Sequence, residues 1–117
     1  MSFNKAEQIK QTLRDAAYHA MRDAILEGLP PVGIAVLTKD GRMAVGGPIC
    51  HDGANGQGSS FETAEQVLDT ALRAMFARKS HMPSLDEVLV ASFRVEADLQ
   101  DPYDLDKRTE RFFFAPS

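Results

Sequence analysis

The residues best suited to chemistry in this chain lie in one glycine-rich segment. Cys50, His51 and Asp52 supply a thiol, an imidazole and a carboxylate at consecutive positions, and three glycines follow before Ser59. A thiol beside an imidazole has the functional groups of a nucleophile and its general base. Because a nucleophile and its base normally come from separate segments, a solvated loop is the alternative interpretation of the same residues.

The same segment has the polar groups of a ligand-binding loop, in Asp52, Asn55, Ser59 and Ser60. The spacing of Ser59 and Glu62 matches the capping box that opens a helix, so the free amides there are candidates for binding a phosphate or carboxylate. The segment matches neither the Walker pattern nor the dinucleotide fingerprint, and Glu62 in the first helical turn would repel an anion. Simple helix capping is therefore the alternative.

A further catalytic candidate is Glu65, which lies early in the predicted second helix at the edge of its apolar stripe. Apolar neighbours raise the pKa of a carboxyl group and suit it to general acid and base chemistry. The alternative is an acid that complements the positive end of the helix dipole. With Cys50 and His51, Glu65 completes the candidate catalytic residues.

We expect no cofactor and no metal site. Cys50 is the single cysteine, which excludes the thiolate cages of structural zinc, and the three histidines lie far apart. The acidic residues between Glu96 and Asp106 lack the fixed alternation and closing glutamate of a calcium loop. They are interpreted as a solvated connection, and binding of a cation or of a basic partner is the alternative.

The composition excludes several classes of protein. The 117 residues carry a formal net charge of −4, and 44% are hydrophobic, as expected for one globular domain covering residues 1–117. The acidic balance argues against a nucleic-acid partner. The uncharged stretch from Gly28 to Thr38 is about half the length of a membrane span, and no apolar signal core follows Met1. Together with the lone cysteine, this predicts a cytoplasmic protein without a membrane partner.

The hydrophobic periodicity predicts the element order α-β-β-α-β-β. A first helix should begin at the capping pair Asn4 and Glu7 and end at Gly28. The following hairpin starts with a strand that is apolar on both faces, which requires either three layers or a subunit contact. The remaining predictions are an irregular loop over 48–60, a second helix reaching about Lys79, a strand over 87–96 and a last strand over 109–115 that is buried from two sides.

This succession of elements resembles the cytidine deaminase fold over about residues 5–95. The residues that carry the resemblance are the 32–42 hairpin, the glycine-bearing loop, a helix that opens with Ala64 and Glu65, and the strand 87–92. In that family a zinc-activated water attacks a base ring. The resemblance places Glu65 at the position of the proton-shuttling glutamate.

The chain departs from that family at every zinc ligand. Thr63 stands where the family has His or Cys before the Ala-Glu pair, and 102–106 reads Pro-Tyr-Asp-Leu-Asp where a Pro-Cys-x-x-Cys motif would complete the site. A threonine hydroxyl and a phenol are not ordinary zinc ligands. The resemblance therefore implies the architecture without zinc-dependent deamination.

These observations predict one α+β domain in which a mainly antiparallel sheet packs against two helices. The leading hypothesis is a non-enzymatic binding or regulatory module that contacts a protein partner, or a second copy of itself as a homodimer, through Cys50–Ser60 and the acidic segment after Leu99. The alternative is a small deaminase-like or hydrolytic enzyme that uses Glu65 with a side chain of 50–52 on a nucleotide-like small molecule.

Overall fold

The first helix, α1, spans Lys5–Leu26 in the computed structural model, which describes residues 5–51, 60–76 and 89–115. Its buried residues recur at three- and four-residue spacing and form one stripe, made of Leu13, Ala17, Met21 and Ala24. The predicted end of the helix is confirmed, because Gly28 adopts a left-handed φ of 74°. The predicted cap Asn4 lies outside the described residues.

The other elements follow in the predicted order α-β-β-α-β-β, with one addition. They are β1 (Val32–Thr38), β2 (Met43–Gly46), β3 (Ile49–His51), β4 (Ser60–Glu62), α2 (Ala64–Met75), β5 (Leu89–Glu96) and β6 (Thr109–Phe114). β1, β2, β5 and β6 form an antiparallel sheet in the order β2-β1-β5-β6, whereas β3 and β4 form a separate ribbon. The α+β fold and the β1–β2 hairpin are thus confirmed.

The two helices lie on opposite faces of the sheet. On one face, α1 packs against alternate residues of β1 and β5, with Phe93 and Val95 fully buried. On the other face, Leu72 of α2 packs with Val32, Ile34 and Val36 of β1. A strand that is apolar on both faces must pack against other elements on both faces. The two helices provide this packing for β1. The second face of β1 therefore needs no subunit contact.

The approach of α1 to the sheet depends on Gly33. A Cβ atom at this position would lie 1.9 Å from the carbonyl oxygen of Ala17 and 2.9 Å from the amide nitrogen of Met21. Both are main-chain atoms of α1, so they cannot rotate away as a side chain would. The helix backbone therefore packs directly on the backbone of β1, which only glycine permits.

The prediction for the segment before α2 is wrong at its ends. Ile49–His51 and Ser60–Glu62 form the two-stranded ribbon instead of irregular loop. The capping box consequently lies at Thr63: its Oγ1 accepts from the Gln66 amide at 3.2 Å, and Gln66 Oε1 accepts from the Thr63 amide at 2.9 Å. Pairing with β3 holds Ser60–Glu62 extended, so the helix cannot begin at Ser59.

Two further boundaries differ from the prediction. α2 ends at Met75, with Phe76 as its C-cap, and not near Lys79. β6 is not buried from two sides, because Phe113 is 59% exposed while Phe112 and Phe114 are half-buried. The reason is the position of α2, which packs over β2 and β1 and leaves this face of β5 and β6 uncovered.

Candidate functional site

The predicted catalytic residues Cys50 and His51 lie next to each other on the β3–β4 ribbon. Cys50 pairs with Phe61 and His51 pairs with Ser60. Side chains of consecutive strand residues project to opposite faces, so the thiol and the imidazole diverge. Both residues are exposed. The ribbon therefore does not bring this thiol and this imidazole together.

His51 has a different partner from the one expected. Its Nε2 lies 2.6 Å from Oε2 of Glu62, the residue two positions after Ser60 on β4. This contact joins the side chains of the two strands of the ribbon diagonally. The other ligand-binding candidates, Asp52, Asn55 and Ser59, lie outside the described residues.

Glu65 lies on the first turn of α2 and contacts the sheet. Its Oε1 accepts a hydrogen bond from Nη1 of Arg94 on β5. This bond is the largest cause of a lowered pKa for the Glu65 carboxyl, and the amide at the start of the helix lowers it further. The expectation of a raised pKa is therefore wrong: an arginine, and not an apolar surface, determines the ionisation of Glu65.

Arg94 belongs to a groove on the sheet face that α2 leaves uncovered. The groove has a volume of about 370 Å³ and is lined by Arg94, Glu96, Thr109 and Arg111. Arg94 lies directly opposite Arg111, and Glu96 directly opposite Thr109, in the β5–β6 register. β5 and β6 form its floor, and Glu65 reaches in from α2.

The charges in this groove are unevenly paired. Arg94 contacts two carboxylates, Glu65 and, at 3.7 Å, Glu96. Arg111 is exposed and has no ion pair among the residues that the structure describes. Within the described part of the chain, the groove therefore presents one guanidinium group without an ion pair beside a neutralised one, an arrangement suited to binding an anion.

Neither groove arginine was among the site residues predicted from the sequence. The signal for Arg94 was present in the alternation of the second half of β5, where Ser92, Arg94 and Glu96 share one face. Such alternation is typical of a strand with one open face. Arg111 carried no comparable signal, because its position opposite Arg94 follows from strand pairing between distant segments.

The acidic segment after Leu99 is partly used to build its own turns. The side chain of Asp98 accepts from the amides of Gln100 and Asp101, and that of Asp104 accepts from the amide of Asp106. Lys107 also lies 3.6 Å from Asp101. These acids therefore shape the connection to β6, and its binding of a basic partner stays a prediction.

In the described part of the chain, no group of three or more His, Cys, Asp or Glu side chains is arranged to hold a metal ion. No helix among the same residues combines the length and apolar composition needed to cross a membrane.

Comparison of the chain with protein-family models, curated proteins and solved structures gives no match. Fold and site together define the class: an α+β domain with helices on opposite faces of an antiparallel sheet, and a charged groove on the part of one face that its helix leaves open.

Proposed function

We propose that the protein is a binding module that takes an extended, acidic segment of a protein partner along the free edge of β6. The observation that carries the proposal is made on the described residues: a strand edge without a neighbouring strand and an arginine without an ion pair, Arg111, next to the exposed ring of Phe113. Addition of a strand to an open sheet edge is a common mode of peptide recognition.

The hydrogen-bond pattern identifies the backbone groups available to such a segment. The Ala115 amide donates to the Val90 carbonyl at 2.8 Å, which extends the β5–β6 register by one pair. Because hydrogen-bonded and non-bonded pairs alternate in antiparallel sheets, the odd-numbered residues of β6 bond to β5. The outward N–H and C=O groups are then those of Glu110, Phe112 and Phe114.

The side chains next to this edge provide selectivity. On the groove face, β6 presents Thr109, Arg111 and Phe113 at alternate positions. A strand laid beside β6 would place its own alternate side chains against them. An acidic residue beside Arg111 and an apolar one beside Phe113 complement this row in charge and in polarity.

Selection from a displayed library of random peptides tests the proposal. We expect the enriched peptides to combine a carboxylate with an apolar residue two positions away. Glu110→Pro should abolish their binding, because proline removes an outward amide without breaking the β5–β6 ladder. Glu110→Ala is the matched control, since it also removes the Glu110 carboxylate from Arg14 but keeps the amide.

Charge reversal at Arg111 provides an independent readout. Arg111→Glu should change the enriched residue from acidic to basic. Two results would refute the proposal. One is that the enriched peptides bind Glu110→Pro and Glu110→Ala equally, and the other is that Arg111→Glu enriches the same residues as the wild type. A concentration-dependent dimer that Glu110→Pro dissociates would instead assign the edge to a second copy of this chain.

The deaminase-like alternative remains a prediction. The contact between Glu65 and Arg94 keeps the carboxyl ionised and does not favour a general acid. Glu65 instead supports the binding proposal, because it neutralises Arg94 and leaves Arg111 as the cation available to a partner.

A further inference from the structure

A cleft beside α1 combines cationic and apolar side chains. Its cationic half is a cavity of about 380 Å³ lined by Arg14, Asp15, Tyr18, His19, Arg22 and Arg108. Its apolar half is a cavity of about 150 Å³ lined by Arg22, Ile25, Leu26, Tyr103 and Arg108. Arg22 and Arg108 line both halves and therefore stand at the junction between them.

Two of the three arginines in the cleft lack a carboxylate partner among the residues that the structure describes. Arg14 donates to Glu110 at 3.1 Å. Neither Arg22 nor Arg108 forms an ion pair within the described residues. Asp15, the acid that lines the cleft, accepts a hydrogen bond from Gln11 at 2.9 Å. The cleft thus concentrates positive charge on a chain whose net charge is −4.

Arg108 provides the second, independent observation. Its Nε–H is buried and has no hydrogen-bond acceptor in the described part of the chain. The guanidinium group lies over the ring of Tyr18, with 5.3 Å between its carbon and the ring centre. Tyr18 supports the group on one side, but a ring face does not replace an acceptor for a buried N–H. The contact with Tyr18 orients the guanidinium group, whose terminal N–H groups are then the donors available to an oxyanion in the cleft.

We propose that this cleft binds a small molecule that carries a carboxylate or phosphate on a single apolar ring. The oxyanion lies between Arg22 and Arg108 and accepts from the N–H groups at the ends of their guanidinium groups. The ring occupies the apolar half beside Ile25 and Tyr103. A cavity of about 150 Å³ is large enough to hold one benzene ring, so the volume fits one ring.

This site is separate from the proposed peptide edge. The cleft lies on the α1 side of the sheet, whereas the groove containing Arg94 and Arg111 lies on the α2 side. Because Glu110 contacts Arg14 of the cleft, the Glu110 variants test the peptide edge alone, and Arg22→Gln and Arg108→Gln test the cleft. The two proposals can fail independently.

Calorimetric titration with four probes tests the cleft. Phenyl phosphate and benzoate carry both the ring and the oxyanion, inorganic phosphate carries the oxyanion alone, and phenol carries the ring alone. We expect saturable binding of phenyl phosphate or benzoate, at least about tenfold tighter than that of inorganic phosphate or phenol. The stronger of the first two probes identifies the type of oxyanion.

Variants locate the binding. Arg22→Gln and Arg108→Gln should each weaken the stronger probe by about tenfold or more, because each removes a charge-assisted hydrogen bond. Arg22 is exposed on α1, so its replacement leaves the fold intact even if Arg108→Gln is destabilised. Arg73→Gln is the matched control, since Arg73 is an exposed arginine on α2.

Three results would overturn the proposal. They are an absence of saturable binding to about 10 mM probe, equal affinity for inorganic phosphate and the ring-bearing probes, and equal weakening by Arg22→Gln and Arg73→Gln. The first result would mean that the cleft binds none of the probes, and the second that the apolar half does not contribute to binding. The third would mean that the variants act through the general charge of the protein.

Discussion

Arg94 and Arg111 face each other directly across β5 and β6, on the part of the sheet that α2 leaves uncovered. Glu65 and Glu96 contact Arg94, whereas Arg111 has no ion pair among the described residues. Like charges directly opposite in a sheet are destabilising, by a fraction of a kcal/mol up to about 1 kcal/mol. Glu65 therefore reduces the repulsion between two residues of which it contacts only one.

This arrangement predicts that one substitution increases the stability of the protein. Arg111→Gln should raise the free energy of unfolding by up to about 0.5 kcal/mol, and by more in a Glu65→Gln background, where Arg94 loses a carboxylate. A double-mutant cycle by urea unfolding at low salt measures this coupling, which high salt should reduce. If Arg111→Gln is destabilising, or its effect does not depend on Glu65, the repulsion does not contribute to stability.

The contacts of Asp40 predict how the stability of the fold changes at acid pH. Hydrogen bonds from Arg42 and then Thr38 lower the pKa of the Asp40 carboxyl from 3.8 to about 2 in the folded protein. Because the carboxyl group has a lower pKa in the folded than in the unfolded state, its ionised form stabilises the fold. This stabilisation is complete above the unfolded pKa and is lost as the pH falls through the folded pKa. Asp40→Asn should be less stable than the wild type at neutral pH, and the difference should narrow between about pH 4 and pH 2.

Urea unfolding at a series of pH values measures the difference between wild type and Asp40→Asn. Narrowing within that window identifies the ionised carboxylate as the stabilising group. A difference that stays constant across the window would instead mean that Asp40 acts through the shape of its turn.

Gly33 predicts a large effect from one methyl group. Gly33→Ala places a Cβ against the main chain of α1 at Ala17, so the helix must move off the sheet, at a cost of about 3 kcal/mol or more. Gly28→Ala is the control: Gly28 has a positive φ but open space around it, so only backbone strain of about 1 kcal/mol is expected. Chemical denaturation measures both, and equal losses would contradict the close approach.

The capping box predicts a loss at Thr63. Thr63→Ala removes the oxygen that accepts from the Gln66 amide and should destabilise the protein by about 1 kcal/mol. Thr70→Ala is the matched control, because Thr70 lies exposed inside α2, where alanine is the better helix former. Thermal unfolding compares the two variants. Similar effects would mean that the cap does not anchor the start of α2.

Local pattern was sufficient to predict most of the elements. The apolar stripe of α1, its end at Gly28 and the turn at 39–42 each depend on residues close in sequence, and all three were predicted correctly. The start of α2 was not predicted correctly, because the sequence contains two pairs with the form of a capping box. They are Ser59 with Glu62 and Thr63 with Gln66. Pairing of β4 with β3 decides between them, and pairing is a contact between separate segments.

The candidate site was less predictable than the fold. The sequence offered Glu65 as a catalytic candidate, which stays a prediction, and the sign of its pKa shift depends on Arg94, which is 29 positions away. Cys50 and His51 are adjacent in sequence, and the pleat of β3 separates their side chains. Two residues that are neighbours in the sequence therefore have side chains that point away from each other in the strand.

By itself, the sequence determined the composition of this protein: an acidic chain with one cysteine, two amphipathic helices and a strand apolar on both faces. Only the tertiary structure decided that the two helices lie on opposite faces, that Arg94 meets Arg111, and that Arg22 and Arg108 line one cleft. The physical reason is range. Helical periodicity and turns depend on neighbouring residues, whereas cover, charge pairing and cavities depend on which distant surfaces the packing brings together.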